Sequence, residues 1–476
     1  MSMKNLSLIS ACLLLGACGS TPAPLDSGLA APPQWRYLAA GRSEDASDIR
    51  QGGGRAFGAP ELDSLLQRAL LNSQDLGAAV ARVRQAQASA VIAGAPLLPE
   101  LNATLGASRQ KLLRDSGYSG TDATSDNDAV DSFSAGLSAS YEVDFWGGRR
   151  AAYRSALESL KASEYDRATV ELTLLSGVAN SYLQVLALRE QQRIARLNLD
   201  NAEHVLRLVE TRHAAGSATA LEVAQQSSLV ASQRKQLPLL EQQAHEALIT
   251  LATLIGEPVQ ALQVAERPFD SLRWPETGAG LPSELLSRRP DIANAEAQLA
   301  AAQADVQVAR AALFPKLTLS ASLSSGANRA ADTFRNPYYN LGANLLAPIF
   351  NHGRLRAERD RSLARQEELL ETYRKAILTA FADTERSLNS IDGLDRQLHW
   401  QQQELEQAQR AFDLSDSRYQ AGAETLLTVL ETQRTLYAAQ DAAVQLRLAR
   451  LQASVGLYKA LGGGWQSDRQ GLARKD

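Results

Sequence analysis

Cysteine is almost absent from this chain. Its 476 residues hold two, Cys12 and Cys18, both near the start. Everything after them is therefore without disulfides, thiolate metal sites or a cysteine nucleophile. Histidine is also sparse: His204, His213, His245, His352 and His399 are scattered without the spacing of metal ligands. No apolar run approaches the roughly 20 residues of a membrane-spanning helix. Neither sign of charge dominates, with 49 basic against 53 acidic residues spread along the chain, so nucleic acid is not an expected partner. There is no glycine-rich phosphate loop and no Gly-x-Ser-x-Gly elbow. The acidic residues sit at helix-surface spacing among Arg and Gln, and this combination excludes the common enzyme classes.

What is present begins with an address. Lys4 precedes an apolar stretch from Leu6 to Leu15, too short to span a bilayer. It ends in Leu15-Gly16-Ala17-Cys18, which resembles a bacterial lipobox. The expectation is a signal peptide over 1–17 and an acylated Cys18, a covalent lipid and no other cofactor. By the same resemblance, Gly19 in place of Asp favours sorting to the outer membrane. Residues 18–58 are rich in Ala, Pro and Gly and read as an extended arm.

Beyond the arm the chain repeats itself. Leu208, Arg212, Gly216, Thr219 and Leu221 fall on Leu414, Arg418, Gly422, Thr425 and Leu427 with a constant shift of about 206 residues. Leu240, Ala247, Leu251 and Gly256 fall on Leu446, Ala453, Leu457 and Gly462 in the same register. A period this long is no solenoid; one large unit has been duplicated. The expected organisation is a first repeat over 59–262, a linker over 263–281, a second repeat over 282–462 and a tail over 463–476.

Each repeat changes period in the same order. A helix from about Glu61 to Ala95, broken near Asn72–Asp75, has its counterpart from Pro282 to Leu313. Asp75 matches Asp291, and Pro99-Glu100-Leu101 matches Pro315-Lys316-Leu317. Period two follows. Leu101, Ala103, Leu105 and Ala107 alternate with polar or small residues, and so do Phe133, Ala135, Leu137, Ala139 and Tyr141. Leu317, Leu319, Ala321 and Leu323, then Tyr339, Leu341, Ala343 and Leu345, repeat the plan. Alternation of this kind is a strand with one apolar face. Each repeat thus holds a hairpin of bilayer-length strands. A small soluble sheet is the alternative reading. If the strands span a membrane, four cannot close a barrel, and several chains must share one.

Glycine-marked turns, Trp146-Gly147-Gly148-Arg149 and Asn351-His352-Gly353-Arg354, lead into proline-free segments from Arg150 to about His213 and from Leu355 to about Tyr419. Each reads as a helix on the order of 95 Å long, beyond a globular domain and in the range of coiled coils. The return helices carry heptads: Val223, Val230, Leu237, Ala244 and Leu251, and Leu430, Tyr437, Val444, Leu451 and Tyr458. Pro238 interrupts the first and is expected to bend it, whereas Val444 stands in its place in the second. In the turns between long and return helices, Gly216 and Gly422 suit a left-handed helix end. Thr219 and Thr425 suit the following N-cap, and Glu222 completes a capping box.

These segments resemble the outer-membrane efflux channels of the TolC/OprM family, in the lipoprotein (NodT-type) branch. The residues that carry the likeness are Leu281-Pro282-Ser283-Glu284-Leu285-Leu286-Ser287-Arg288-Arg289-Pro290-Asp291 with Phe314-Pro315-Lys316-Leu317. To these are added Tyr141-Glu142-Val143-Asp144-Phe145-Trp146-Gly147, Ala347-Pro348-Ile349-Phe350-Asn351-His352-Gly353-Arg354, and Gln236-Leu237-Pro238-Leu239-Leu240-Glu241. The resemblance implies a fold of α-helices with transmembrane β-strands. Four strands per chain would join a twelve-stranded trimeric barrel, with a periplasmic α-helical coiled-coil tunnel. It implies a homotrimer in the outer membrane, lipid-anchored and extending into the periplasm. Drugs or metabolites would be exported passively, supplied by a periplasmic adaptor and an inner-membrane pump of the RND type.

The resemblance also implies site residues. Gly216, Ser217, Gly422 and Ala423 become adaptor-docking tips. Tyr419, Thr428 and Glu431 fall at aperture positions, with Glu222 as a hydrogen-bond partner for Tyr419. Glu424 stands where some members place a locking arginine, and Thr428 where some place an aspartate. On that reading Glu424 repels Glu222, and Glu431 is the better carboxylate for a ring that favours cations. Two other functions fit part of the pattern: a periplasmic coiled-coil adaptor or scaffold lipoprotein, and the exit duct of a metal-export or secretion system.

Overall fold

A computed structural model describes residues 25–38, 57–111, 129–275 and 278–465; Cys18, with the signal peptide, lies outside the described residues. Helices α1 (Pro60–Asn72) and α2 (Gln74–Gly94) precede strands β1 (Glu100–Gln110) and β2 (Val130–Val143). Helices α3 (Gly148–Ala214) and α4 (Ala220–Ile255) follow. The same order recurs as α5 (Pro282–Arg288), α6 (Pro290–Ala311), β3 (Lys316–Ala327), β4 (Pro337–Leu346), α7 (Arg354–Gln420) and α8 (Leu426–Ala460). No described helix is long and apolar enough to cross a membrane.

The helix expected from Pro282 to Leu313 is divided. Arg289 is extended at φ −103°, ψ 122°. Its neighbour Pro290 pushes the preceding residue out of the helical region. The Arg289 side chain is then buried among Asp291 (2.6 Å), Asp383 (3.3 Å) and the carbonyl of Ala460 (3.3 Å). Pro238, by contrast, does not divide α4, which runs through it as one helix of 36 residues. Proline there removes one backbone donor from the helix without ending it.

The chain forms two compact units. One comprises Val83–Ala162 and Ala295–Tyr373 together with the segment ending at Ser27, and holds the sheet. The strands pair antiparallel in the order β1-β2-β3-β4, so β2 and β3 join the two repeats. Leu101, Ala139, Ala321 and Leu341 lie in one cross-strand row, and Ala103, Leu137, Leu323 and Tyr339 in the next apolar row. Between them runs Asn102, Ser138, Ser322 and Asn340. One face is therefore continuously apolar and the other is Ser-, Gly- and Asn-lined. The outer edges of β1 and β4 have no partner strand among the described residues.

The second unit comprises Gly28–Arg82, Ser163–Asn294 and the chain from Arg374 onward. Its core joins Leu62 and Leu65 of α1 to Leu183 and Leu186 of α3, Leu251 and Ile255 of α4, and Leu451 and Val455 of α8. Of the heptad residues, Val230, Ala244, Leu251, Leu430, Tyr437, Val444 and Leu451 are buried, whereas Val223, Leu237 and Tyr458 are half-buried. Part of the arm is fastened here. Trp35 is buried, and its indole donates to the carbonyl of Gly280 at 2.8 Å. The Glu385 carboxylate accepts the backbone N–H groups of Arg36 (2.8 Å) and Tyr37 (3.1 Å).

Candidate functional site at the paired helical turns

The two turns between long and return helices are built alike at the backbone. Gly216 and Gly422 both have φ 75°, and no atom lies within 4 Å of where a Cβ would stand. The left-handed conformation alone thus calls for glycine there. Ser217 N–H reaches back to the carbonyl of Arg212, and Ala423 N–H to that of Arg418, each at 2.8 Å. These bonds satisfy carbonyls that the helix end leaves open. Gly216, Ser217, Gly422 and Ala423 are exposed, as a docking surface requires.

The caps that follow differ. Thr219 accepts from Glu222 N–H at 3.2 Å, and the Glu222 carboxylate accepts from Thr219 N–H at 2.6 Å, the reciprocal capping box expected from sequence. Thr425 makes no such cap bond. Thr428 cannot return a carboxylate, so Glu424 supplies one from the other side. It accepts from Thr425 N–H and from the Thr428 hydroxyl, both at 3.0 Å. These donors, with Arg418 at 3.6 Å, hold the Glu424 carboxyl below the usual glutamate range.

Two sequence expectations are corrected by this geometry. Within one chain Glu222 makes no hydrogen bond to Tyr419; one oxygen of its carboxylate, Oε2, is taken by the N–H and hydroxyl of Thr219. Glu424 is not set against Glu222; it faces Arg418 and two threonines.

Tyr419 is instead held by a residue that sequence reading aligned but gave no role. Arg212 crosses from the first turn to the second. Its guanidinium lies 4.3 Å from the Tyr419 ring centroid and donates to the carbonyls of Tyr419 (2.6 Å) and Gln420 (3.1 Å). Tyr419 is 2 % exposed, and its hydroxyl finds no hydrogen bond of good geometry. Burial raises the phenol pKa, with nearby Arg212 opposing and Glu222 adding to the rise. The signal for Arg212 was present: an arginine stands four residues before the glycine in both copies. Arg418, its counterpart, stays within its own turn, near Ala423 and Glu424. Tyr419 packs with Val205, Val209, Phe412, Leu426 and Leu430, so the two turns share one apolar core.

Glu431 lies one turn into α8 and is exposed. It lines a surface groove with Leu427, Leu430 and Arg434 of α8 and Ala224, Gln225 and Ser228 of α4. Nothing in this set resembles a nucleophile, a general base or a metal cage; the turns can dock a partner and shape an opening.

With this geometry in hand, comparison with known proteins is direct. The outer membrane efflux protein family matches residues 65–257 and 281–463. The chain is 98% identical, over the full length of both, to the pyoverdine export outer membrane protein OpmQ of Pseudomonas aeruginosa. It is 59% identical to the OpmQ of Pseudomonas putida, over 98% of each chain. Among solved structures it is similar to the outer-membrane channel OprN, with TM-score 0.85 and 26% identity over 94% of this chain and 100% of that one. The chain therefore belongs to the outer membrane efflux protein family. It is a transport channel of the outer membrane and not an enzyme, a trimer whose chains each give four strands to a shared twelve-stranded barrel and long helices to a periplasmic tunnel, working with an inner-membrane pump and an adaptor.

Proposed function

We propose that this channel is the exit duct for a pyoverdine, anchored by lipid on Cys18 and reached through an adaptor that docks on Gly216, Ser217, Gly422 and Ala423. The observation that carries the substrate is the 98% identity to a pyoverdine exporter over every residue of both chains. Differences confined to 2% of positions leave the strands, turns and tunnel helices of the two chains essentially the same. Deleting the gene is expected to retain pyoverdine in the periplasm and lower it in the medium, with recovery on re-expression. An unchanged partition between the two would overturn the substrate.

The exposed glycine turns support adaptor docking, since backbone in the left-handed conformation presents itself without side-chain cover. The partner behind the adaptor is, by family resemblance, an RND-type pump. Co-purification of the cross-linked assembly reads this directly; an ATP-driven pump in its place would overturn the pump class and leave the channel intact. Acylation is read by metabolic labelling with a palmitate analogue, which is expected to mark the wild-type chain and not Cys18→Ser.

A further inference from the structure

One seam between the repeats is visible inside a single chain. At the end of the sheet from which the helices leave, β2 finishes beside the start of β3, with Val143 opposite Leu317. There Trp146, in the turn after β2, stacks on Phe314, just before β3, with ring centroids 4.6 Å apart and planes 23° from parallel. Its indole N–H also donates to the carbonyl of Pro315 at 2.7 Å. Offset stacking of this kind, with the polar handle satisfied, makes a stable joint.

The duplication supplies a second set of the same parts. Phe314-Pro315 corresponds to Leu98-Pro99, before β1. The turn holding Trp146 corresponds to the one after β4, where His352 stands in the place of Trp146 and Phe350 lies two residues before it. Gly147 and Gly353 play the same role in the two turns: their carbonyls accept the first N–H bonds of α3 and α7, from Ala151 at 2.8 Å and Ala357 at 2.9 Å. Within one chain these second parts never meet. Leu98 is 72% exposed, Ile349 95% and Phe350 79%, and Ile92 in the last turn of α2 is 70% exposed. The Phe350 ring lies beside that of His352, with 4.5 Å between centroids.

Barrel closure brings them together. β1 starts and β4 ends at the same end of the sheet, since Glu100 lies opposite Ser140 and Leu346 opposite Lys316. When the free edge of β4 pairs antiparallel with the free edge of β1 in the next protomer, residues 347–352 of one come beside residues 92–99 of the other. This is a head-to-tail contact of the kind that closes a ring. It also covers an apolar patch that a soluble surface would not leave open.

We propose that Ile349 and Phe350 of one protomer close over Leu98 and Ile92 of the next, an inter-protomer joint at the trimer seam that stands where the Trp146–Phe314 joint stands between the repeats. The occupant of each patch is a second copy of this chain, and the proposal rests on trimeric closure of the barrel.

The sequence makes the test clean, because no cysteine follows Cys18. The full-length double variant Leu98→Cys/Phe350→Cys, in native outer membranes, is treated with a short bis-maleimide. A ladder of covalent dimers and trimers on a denaturing gel is expected, at least tenfold stronger than in either single variant. An intact trimer by light scattering that gives no ladder would overturn the joint alone. A wild-type protein that is not trimeric would overturn both closure and joint. The single variant Leu98→Cys gives an independent reading: its thiol should resist a soluble maleimide in the trimer and react once the trimer is dissociated. Equal reactivity in the two states counts against the proposal. Labelling of Phe350→Cys by a bilayer-soluble maleimide in the intact trimer assigns the patch to lipid and also overturns it.

Discussion

Arg212 shows how a single side chain separates two otherwise equivalent turns. A guanidinium can stack on a ring and donate in its own plane at once, which an ammonium cannot. Arg212 does both on Tyr419, while Arg418 remains local. Arg212→Ala should therefore free the second turn: faster hydrogen exchange over residues 418–423 and a higher conductance of the isolated channel, only partly restored by Arg212→Lys. Tyr419→Phe should change both far less, because the phenol makes no hydrogen bond of good geometry while the ring that Arg212 covers is kept. A conductance rise in Tyr419→Phe equal to that in Arg212→Ala would overturn the assignment. Acid acts on a different residue. Thr425 N–H first, then the Thr428 hydroxyl and Arg418, lower the Glu424 pKa from its ordinary 4.5. A carboxylate with a depressed folded pKa stabilises above the ordinary value and loses that contribution as pH falls through the lowered one. Protection of the Thr425 amide, relative to Glu424→Ala at the same pH, is thus expected to be high at pH 6 and to fall away only below the ordinary glutamate value of 4.5. A ratio that does not change with pH would remove Glu424 from the cap.

Strands and long helices were legible because each rests on one periodicity with one cause. Leu101-x-Ala103-x-Leu105 alternates because one face is apolar throughout, and the register extends that face across all four strands. Two things were not legible. The pairing of β2 with β3 joins residues such as Ala139 and Ala321 through the fold, and no local pattern encodes it. The break at Arg289 was signalled by the Arg-Pro dipeptide, but the helical period on either side masked it. The faces themselves make a prediction. The apolar rows meet lipid and the Ser/Gly/Asn rows line the lumen, as in other membrane barrels. Leu341→Arg, at mid-strand on the apolar face, should destabilise the folded channel by about 2–4 kcal/mol, the cost of a charge at the bilayer midplane. Ser322→Arg, one residue and one strand away on the other face, should fold normally. Urea titration of the two variants in bilayers compares them, and equal destabilisation would mean the faces are assigned the wrong way round.

In the assembled channel, duplication and threefold symmetry together make a wall of nearly equivalent parts, and function falls on what breaks the equivalence. His213 is exposed where Tyr419 is buried, and Thr428 replaces Glu222, so the two kinds of turn alternate around the ring. The residues that the resemblance assigns to an aperture are a mixture in consequence. Glu222 and Glu424 are half-buried and each has a carboxylate oxygen engaged within its own turn, which leaves Glu431 as the exposed acid of the set. In the aperture ring that the resemblance implies, three copies of Glu431 would contribute three negative charges, and Arg434 of the same groove a positive charge one turn farther along each α8. A ring of like charge raises the local concentration of counter-ions only within about a Debye length, near 10 Å at 0.1 M salt. The effect of Glu431→Gln should therefore depend on ionic strength. In bilayer recordings under a salt gradient, the reversal potential is expected to move toward anions at 0.1 M, where the Arg434 charge is left unopposed, and the shift should shrink at 1 M, where screening reaches about 3 Å. Arg434→Gln should move it the other way. Selectivity that is the same in Glu431→Gln and wild type at low salt would place the carboxylate on an outer helix surface, away from the path of the exported solute.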